Sequence, residues 1–214
     1  MKEDTKIILK ISKFFLEKIS IRLDAHKLKK INDLIFILVE NIVIQLDKII
    51  PIYLDFYKPI MENEITIAKI SNKDKILHIG SGPVPATPIY IVKKTNADVT
   101  TIDKNLQSIK KAQTLILKLK LVEKIHIIHA NALNFPLEKF NLIIISQGIK
   151  KYDEVLRYIS QNMRSDARLI FRTSSSIDGN LVEKDLFLKD TFTIDKIIPQ
   201  KKNGLLISVL LFKK

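Results

Sequence analysis

The chain has no cysteine among its 214 residues. Disulfides, thiolate metal sites and cysteine nucleophiles are thereby excluded, and no metal-ligand set is expected. Nor is there an apolar run suited to a bilayer. The longest, "LIFILVENIVIQL" (34–46), is interrupted by Glu40 and Asn41 and falls short of the roughly 20 apolar residues a spanning helix needs. The opening "MKEDTKIILK" mixes charge with short apolar runs and shows no small-residue cleavage site, so it does not read as a secretory signal. The expected location is the cytoplasm. Internal repeats and low-complexity linkers are also missing.

What is present describes a globular chain, 46% hydrophobic and 28% charged. The net charge of +13 raises the question of a nucleic-acid or other anionic partner. The lysines are spread along the chain, however, and no basic cluster is interleaved with aromatics. The Lys, Ile and Asn enrichment is the bias of an AT-rich genome, so nucleic acid is the weaker reading of the charge. A homodimer is compatible with the sequence.

The pattern changes near residue 73. Before it, apolar residues recur at helical spacing. "TKIILKISKFFLEKIS" places Ile8, Leu9, Ile11, Phe15 and Leu16 on one stripe. "AHKLKKINDLIFILVENIVIQLDKII" is a longer helix closed by Pro51. "PIMENEITIAKI" is a third, with Pro59 in its first turn. After residue 73, short β-branched runs alternate with helix-length segments: "KILHIG", "DVTTID", "KIHIIHA", "FNLIIIS" and "ARLIFRT". Continuous apolar strands of this kind belong to a parallel sheet covered on both faces. The tail departs from that rhythm. "DTFTIDKIIPQ" and "LLISVLLF", joined by "KKNG", form a hairpin. The expected architecture is α/β: a mostly parallel Rossmann-like sheet with a C-terminal antiparallel hairpin, as in class I S-adenosylmethionine-dependent methyltransferases. It comprises a small helical domain at 1–72 and the sheet domain at 73–214.

Several residues stand where such a sheet binds ligands. Gly80 and Gly82 follow the first strand and allow a sharp turn with close backbone approach. Ser81 and Pro83 belong to the same loop, and Pro83 and Pro85 fix φ and stiffen it. Asp103 ends the second strand, about twenty residues on, where a carboxylate accepts from both ribose hydroxyls of an adenosine. Asn131 and Ala132 follow the third strand, near where an adenine amino group would lie; Asn is equally a turn residue. Ser146 and Gln147 end the fourth strand and should line the site. Arg172 and Thr173 close the fifth, where an arginine can fork onto a carboxylate or form a surface salt bridge. The acidic-proline-proline-aromatic signature of amino-group methyltransferases is absent.

"HIGSGPVPATPI" resembles the glycine loop of the nicotianamine synthase family. "ARLIFRT", "FYKPIMENEITIAKI" and "NGLLISVLLFK" resemble that family's fifth strand, the helix before its loop, and its closing strand. The resemblance implies an enzyme. It implies transfer of the 3-amino-3-carboxypropyl group of S-adenosylmethionine to an amine of a small amino-acid-like acceptor, with release of methylthioadenosine and a nicotianamine-like metallophore as product. It further implies a glutamate base on an N-terminal helix and an assisting tyrosine. Glu40, in an otherwise apolar helix, and Tyr57, in "DFYKP", match those roles; Glu17, Glu62 and Glu64 are rival bases. Relative to the family, the N-terminal segment is reduced and Asn131 replaces an acidic residue. A methyltransferase acting on a small molecule or RNA is the competing reading, and a non-enzymatic binding module is a third.

Overall fold

The computed structural model describes residues 50–175, 181–182, 185–199 and 206–214. Glu40, the helical segments read before residue 50 and the "KKNG" turn lie outside them. Residues Leu54–Lys214 form one compact unit. The described elements are α1 (Ile50–Ile67), β1 (Lys75–Ile79), α2 (Ala86–Thr95), β2 (Asp98–Asp103), α3 (Leu106–Lys118), β3 (Ile125–His129), a 3₁₀ turn (Ala132–Asn134), β4 (Leu142–Ile145), α4 (Tyr152–Asn162), β5 (Arg168–Ser174), α5 (Leu188–Thr191), β6 (Phe192–Pro199) and β7 (Leu206–Lys213).

The seven strands form one sheet in the order β3-β2-β1-β4-β5-β7-β6. β1 pairs in parallel with β2 and β4, β2 with β3, and β4 with β5. β7 lies antiparallel beside β5 and carries β6 at the edge. This is the mostly parallel sheet with a closing hairpin that the sequence pattern implies. The inner strands β1, β4 and β7 are buried along nearly their whole length, whereas the edge strands β3 and β6 alternate with exposed positions. That contrast explains the two patterns: continuous apolar runs inside, mixed runs at the edges. One core packs Leu77, Ile79, Ile143, Ile145, Leu169 and Phe171 against Leu156, Ile159 and Phe192.

Two expectations differ from what is observed. The third helix does not start at Pro59. It spans Ile50–Ile67, with Pro59 inside it. A proline there removes one helical hydrogen bond, but Ile60, Met61, Glu64 and Ala68 are buried, and packing of that face outweighs the loss. Likewise, no helix fills the connection from β3 to β4. It holds only the 3₁₀ turn, followed by Pro136 and the buried Leu137 and Phe140. Asn131, Asn134 and Pro136 leave no helical run in that stretch. Elsewhere local chemistry agrees with the fold. Asn105 caps α3 by accepting from the amides of Gln107 and Ser108.

No described helix is long and apolar enough to cross a membrane.

Candidate active site

Two strand ends and a loop build the site. The chain leaves β1 into Gly80 at φ +91° and passes Gly82 at φ +58°. The amides of Gly80 and Ser81 donate to the carbonyl of Ile102 in β2, at 2.8 and 3.2 Å. A side chain at Gly80 would be crowded: a Cβ would lie 2.6 Å from Ile149 Cδ1 and 3.2 Å from Ser146 Cβ. Glycine is therefore favoured twice at this position, by the left-handed backbone and by the space.

Asp103 fastens the loop from below. Its Oδ2 accepts from the Gly82 amide at 3.0 Å, and its Oδ1 accepts from the Asn105 amide at 2.9 Å. The carboxylate stays partly exposed. Two amide donors fix its plane and leave lone pairs on both oxygens, which is what a vicinal diol requires. The loop then closes through Pro85, at φ −76° and ψ 64°, with the Ala86 amide donating to the Val84 carbonyl at 2.8 Å. This is an inverse γ-turn, and it delivers the chain into α2.

Under the loop runs a row of buried polar side chains on one face of the sheet. His78 in β1 is opposite Thr101 in β2, and Arg172 in β5 is opposite Ser208 in β7. The His78 ring bonds Thr101 Oγ1 through Nδ1 and Ser146 Oγ through Nε2, both at 2.8 Å. Burial pushes its pKa down to about 3, with the Arg172 charge acting the same way, so the ring is neutral. Arg172 is only 7% exposed and closes on Glu64 of α1, itself 1% exposed. Nε donates to Oε1 at 2.8 Å and an Nη donates to Oε2 at 2.6 Å, while the other Nη donates to Thr87 of α2 at 2.9 Å. Ser208 donates to Glu64 Oε1 at 2.6 Å. Burial alone would lower the Arg172 pKa. The Glu64 carboxylate overcomes it and Tyr57 adds to the same effect, so the net shift is upward.

The residues singled out in the sequence are distributed as follows. Gly80, Ser81, Gly82, Pro83 and Asp103 come together at the loop, joined by Ser146, whose amide donates to the Ile79 carbonyl at 3.0 Å. Gln147 follows it, exposed. Asn131 accepts from the Leu133 amide at 3.2 Å and so caps the 3₁₀ turn that begins at Ala132. Arg172 does hold a carboxylate in a fork, but that carboxylate is the chain's own Glu64. Thr173 donates to the buried Asp185 at 2.6 Å, which also accepts from Tyr152 at 2.6 Å. Tyr57 is half-buried on α1, within the field of Arg172. Of the rival bases, Glu62 is exposed and accepts from Tyr90 at 2.9 Å, and Glu64 is committed to Arg172. Sequence reasoning passed over His78, Thr87 and Ser208. Their only signal is a polar residue inside an apolar stretch.

The model for the nicotianamine synthase protein family matches residues 5–195. The chain belongs to the nicotianamine synthase family. Solved structures share its fold. MtNAS in complex with S-adenosylmethionine, as a point variant, is 18% identical over 81% of this chain and 70% of its own, with a TM-score of 0.70. MtNAS in complex with MTA and tNA is 18% identical over 82% of this chain and 68% of its own, again at 0.70. A putative S-adenosylmethionine-dependent methyltransferase from Methanococcus maripaludis is 16% identical over 82% of this chain and 92% of its own, at 0.62. No curated protein matches the chain in sequence. The fold is that of class I methyltransferases.

Proposed function

We propose that this nicotianamine synthase family member transfers the 3-amino-3-carboxypropyl group of S-adenosylmethionine to an amine of a small amino-acid-like acceptor. Methylthioadenosine is released and a nicotianamine-like metallophore is formed. The observation that carries the reading is the family match over residues 5–195. The loop supports it: an Asp103 carboxylate with free lone pairs stands beside a glycine turn in which any side chain at Gly80 would be crowded and strained. The solved relative MtNAS binds S-adenosylmethionine in one structure and MTA with tNA in another.

In this reading Asp103 holds the ribose hydroxyls, with Asn131 and Ala132 on the adenine side. Gly80, Ser81, Gly82 and Pro83 present backbone to the donor, and Ser146 and Gln147 line its far side. The sulfonium donor supplies an activated propyl carbon, and the N–C bond forms as the C–S bond breaks. The acceptor must first lose a proton, because an amine is an ammonium at neutral pH. Glu40, on the N-terminal helical segment (1–72), is the proposed base, since a carboxylate in an apolar setting has a raised pKa. Tyr57 is its proposed assistant. Arg172 and Thr173 border the acceptor region, with Arg172 holding α1 and α2 in place through Glu64 and Thr87.

Incubation with S-adenosylmethionine and candidate amino acids, such as glutamate or histidine, tests the proposal by mass spectrometry. Methylthioadenosine together with an acceptor heavier by one aminocarboxypropyl group is the expected result. S-adenosylhomocysteine with a methylated product would replace this reading by methyl transfer.

A further inference from the structure

The proposed function leaves His78 without a role, although His78 is buried two residues before Gly80. It is 2% exposed, the fourth residue of a five-residue strand that is otherwise apolar apart from Lys75. An aliphatic side chain would fill that place. A buried imidazole with both nitrogens bonded adds little net stability over one, because each hydrogen bond roughly repays the desolvation of its partners. The bonds do something else: they span three strands. Nδ1 reaches β2 at Thr101, and Nε2 reaches the end of β4 at Ser146.

Ser146 is placed to matter. Its Cβ lies 3.2 Å from where a Gly80 Cβ would be, so its side chain stands against the loop. It stands on the side opposite Asp103, because the strand order places β2 and β4 on either flank of β1. A donor with its ribose on Asp103 therefore extends its 5′ substituents over β1 toward β4. We propose that His78 is a positioning residue: it fixes the Ser146 hydroxyl so that this hydroxyl meets the aminocarboxypropyl arm of S-adenosylmethionine. The inference rests on the donor assigned above.

A neutral imidazole has one N–H donor and one acceptor nitrogen. Its two hydroxyl partners are thus coupled: whichever of Thr101 and Ser146 donates to the ring, the other accepts from it, and in either case the bond to Nε2 holds the Ser146 hydroxyl in place. Without the ring, that hydroxyl is free to rotate and to turn away from the ligand.

Calorimetry on the full chain tests the inference with two ligands, S-adenosylmethionine and methylthioadenosine. The second is the first without the arm. Ser146→Ala and His78→Phe are each expected to weaken S-adenosylmethionine binding about tenfold and to leave methylthioadenosine binding within about twofold. The double variant should be no weaker than either single one, because the histidine acts through the serine. His78→Gln, whose amide can still bond the hydroxyl, should recover part of the loss. Equal losses for both ligands, additive effects in the double variant, or an unaltered Ser146→Ala protein would overturn the role of His78. Ser146→Ala alters a half-exposed strand end, so an unaltered Ser146→Ala protein overturns the inference even where His78→Phe does not fold, and His78→Gln, which keeps a polar group in the buried place, then carries the test of the histidine. Wild-type protein that binds neither ligand would instead remove the donor assignment, and this inference with it.

Discussion

The Arg172 guanidinium and the Glu64 carboxylate meet in a two-pronged, buried ion pair, 108 residues apart in the chain. The pair joins α1 to β5, and through Thr87 and Ser208 it also engages the first turn of α2 and strand β7. Glu64→Ala leaves a buried arginine charge without its counterion. A loss of about 3–5 kcal/mol is expected, measurable by urea denaturation. Replacing both partners by apolar residues of similar volume should cost much less. A double variant as unstable as the single one would show that the pair itself, rather than the stranded charge, supplies the stability.

Gly80→Ala combines a positive φ with a contact against Ser146 and Ile149. The Ile149 tip can swing aside, but the backbone angle and the Ser146 Cβ cannot readily adjust. About 1–3 kcal/mol of destabilisation is expected, along with at least tenfold weaker donor binding. Thermal melts and calorimetry check the two effects separately.

Asp103→Ala removes both the proposed ribose contact and the anchor of the Gly82 amide. Donor affinity should fall by about tenfold to a hundredfold, as for loss of a hydrogen bond to a charged group. Asp103→Asn keeps one acceptor oxygen for the loop amide and should fall between the two. Unchanged affinity in Asp103→Ala would refute the ribose role.

His78 gives stability a pH dependence of defined sign. Its folded pKa, about 3, is below the ordinary value of 6.5. The unfolded chain therefore takes up a proton below pH 6.5 that the native ring refuses until about pH 3. The contribution of this group is complete above pH 6.5 and declines as pH falls, by about 1.4 kcal/mol per unit. His78→Gln has nothing to titrate there. The stability difference between wild type and this variant should move by about 2 kcal/mol against wild type between pH 7 and pH 5, read from denaturation midpoints. A difference independent of pH would mean that the native ring takes up its proton as readily as the unfolded one.

Glu40→Gln should abolish turnover and leave S-adenosylmethionine binding nearly intact, if Glu40 is the base. Single-turnover assays beside calorimetry separate these effects, and undiminished turnover would pass the role to another group.

The sheet was legible in the sequence because its strands are short β-branched runs at regular intervals, and a parallel core imposes that pattern on the chain. Gly80 and Asp103 were legible for a similar reason: a turn after the first strand and an acid at the end of the second are separated by a fixed stretch of chain. What could not be read was partnership across the sheet. Arg172 stood out as a charge closing an apolar run, but nothing nearby named Glu64 as its mate. His78 sits 23 residues from Thr101 and 68 from Ser146, and only strand order and register bring them together. The extent of α1 was hidden because Pro59 carries a strong start signal, whereas the buried face that overrides it is a property of the packed molecule.

The loop between β1 and α2 is poor in free donors. Pro83 and Pro85 have no N–H, and the amides of Gly80, Ser81, Gly82 and Ala86 are already bonded within the chain. Glycine loops that cradle phosphate work by aiming such amides at the anion. Here only Val84 among residues 80–86 is left for that purpose. A pyrophosphate would find almost nothing there to hold it, whereas a sulfonium, which N–H dipoles repel, meets at most one free amide among residues 80–86. The same fold that elsewhere selects dinucleotides is by this means biased toward a ligand of the opposite charge.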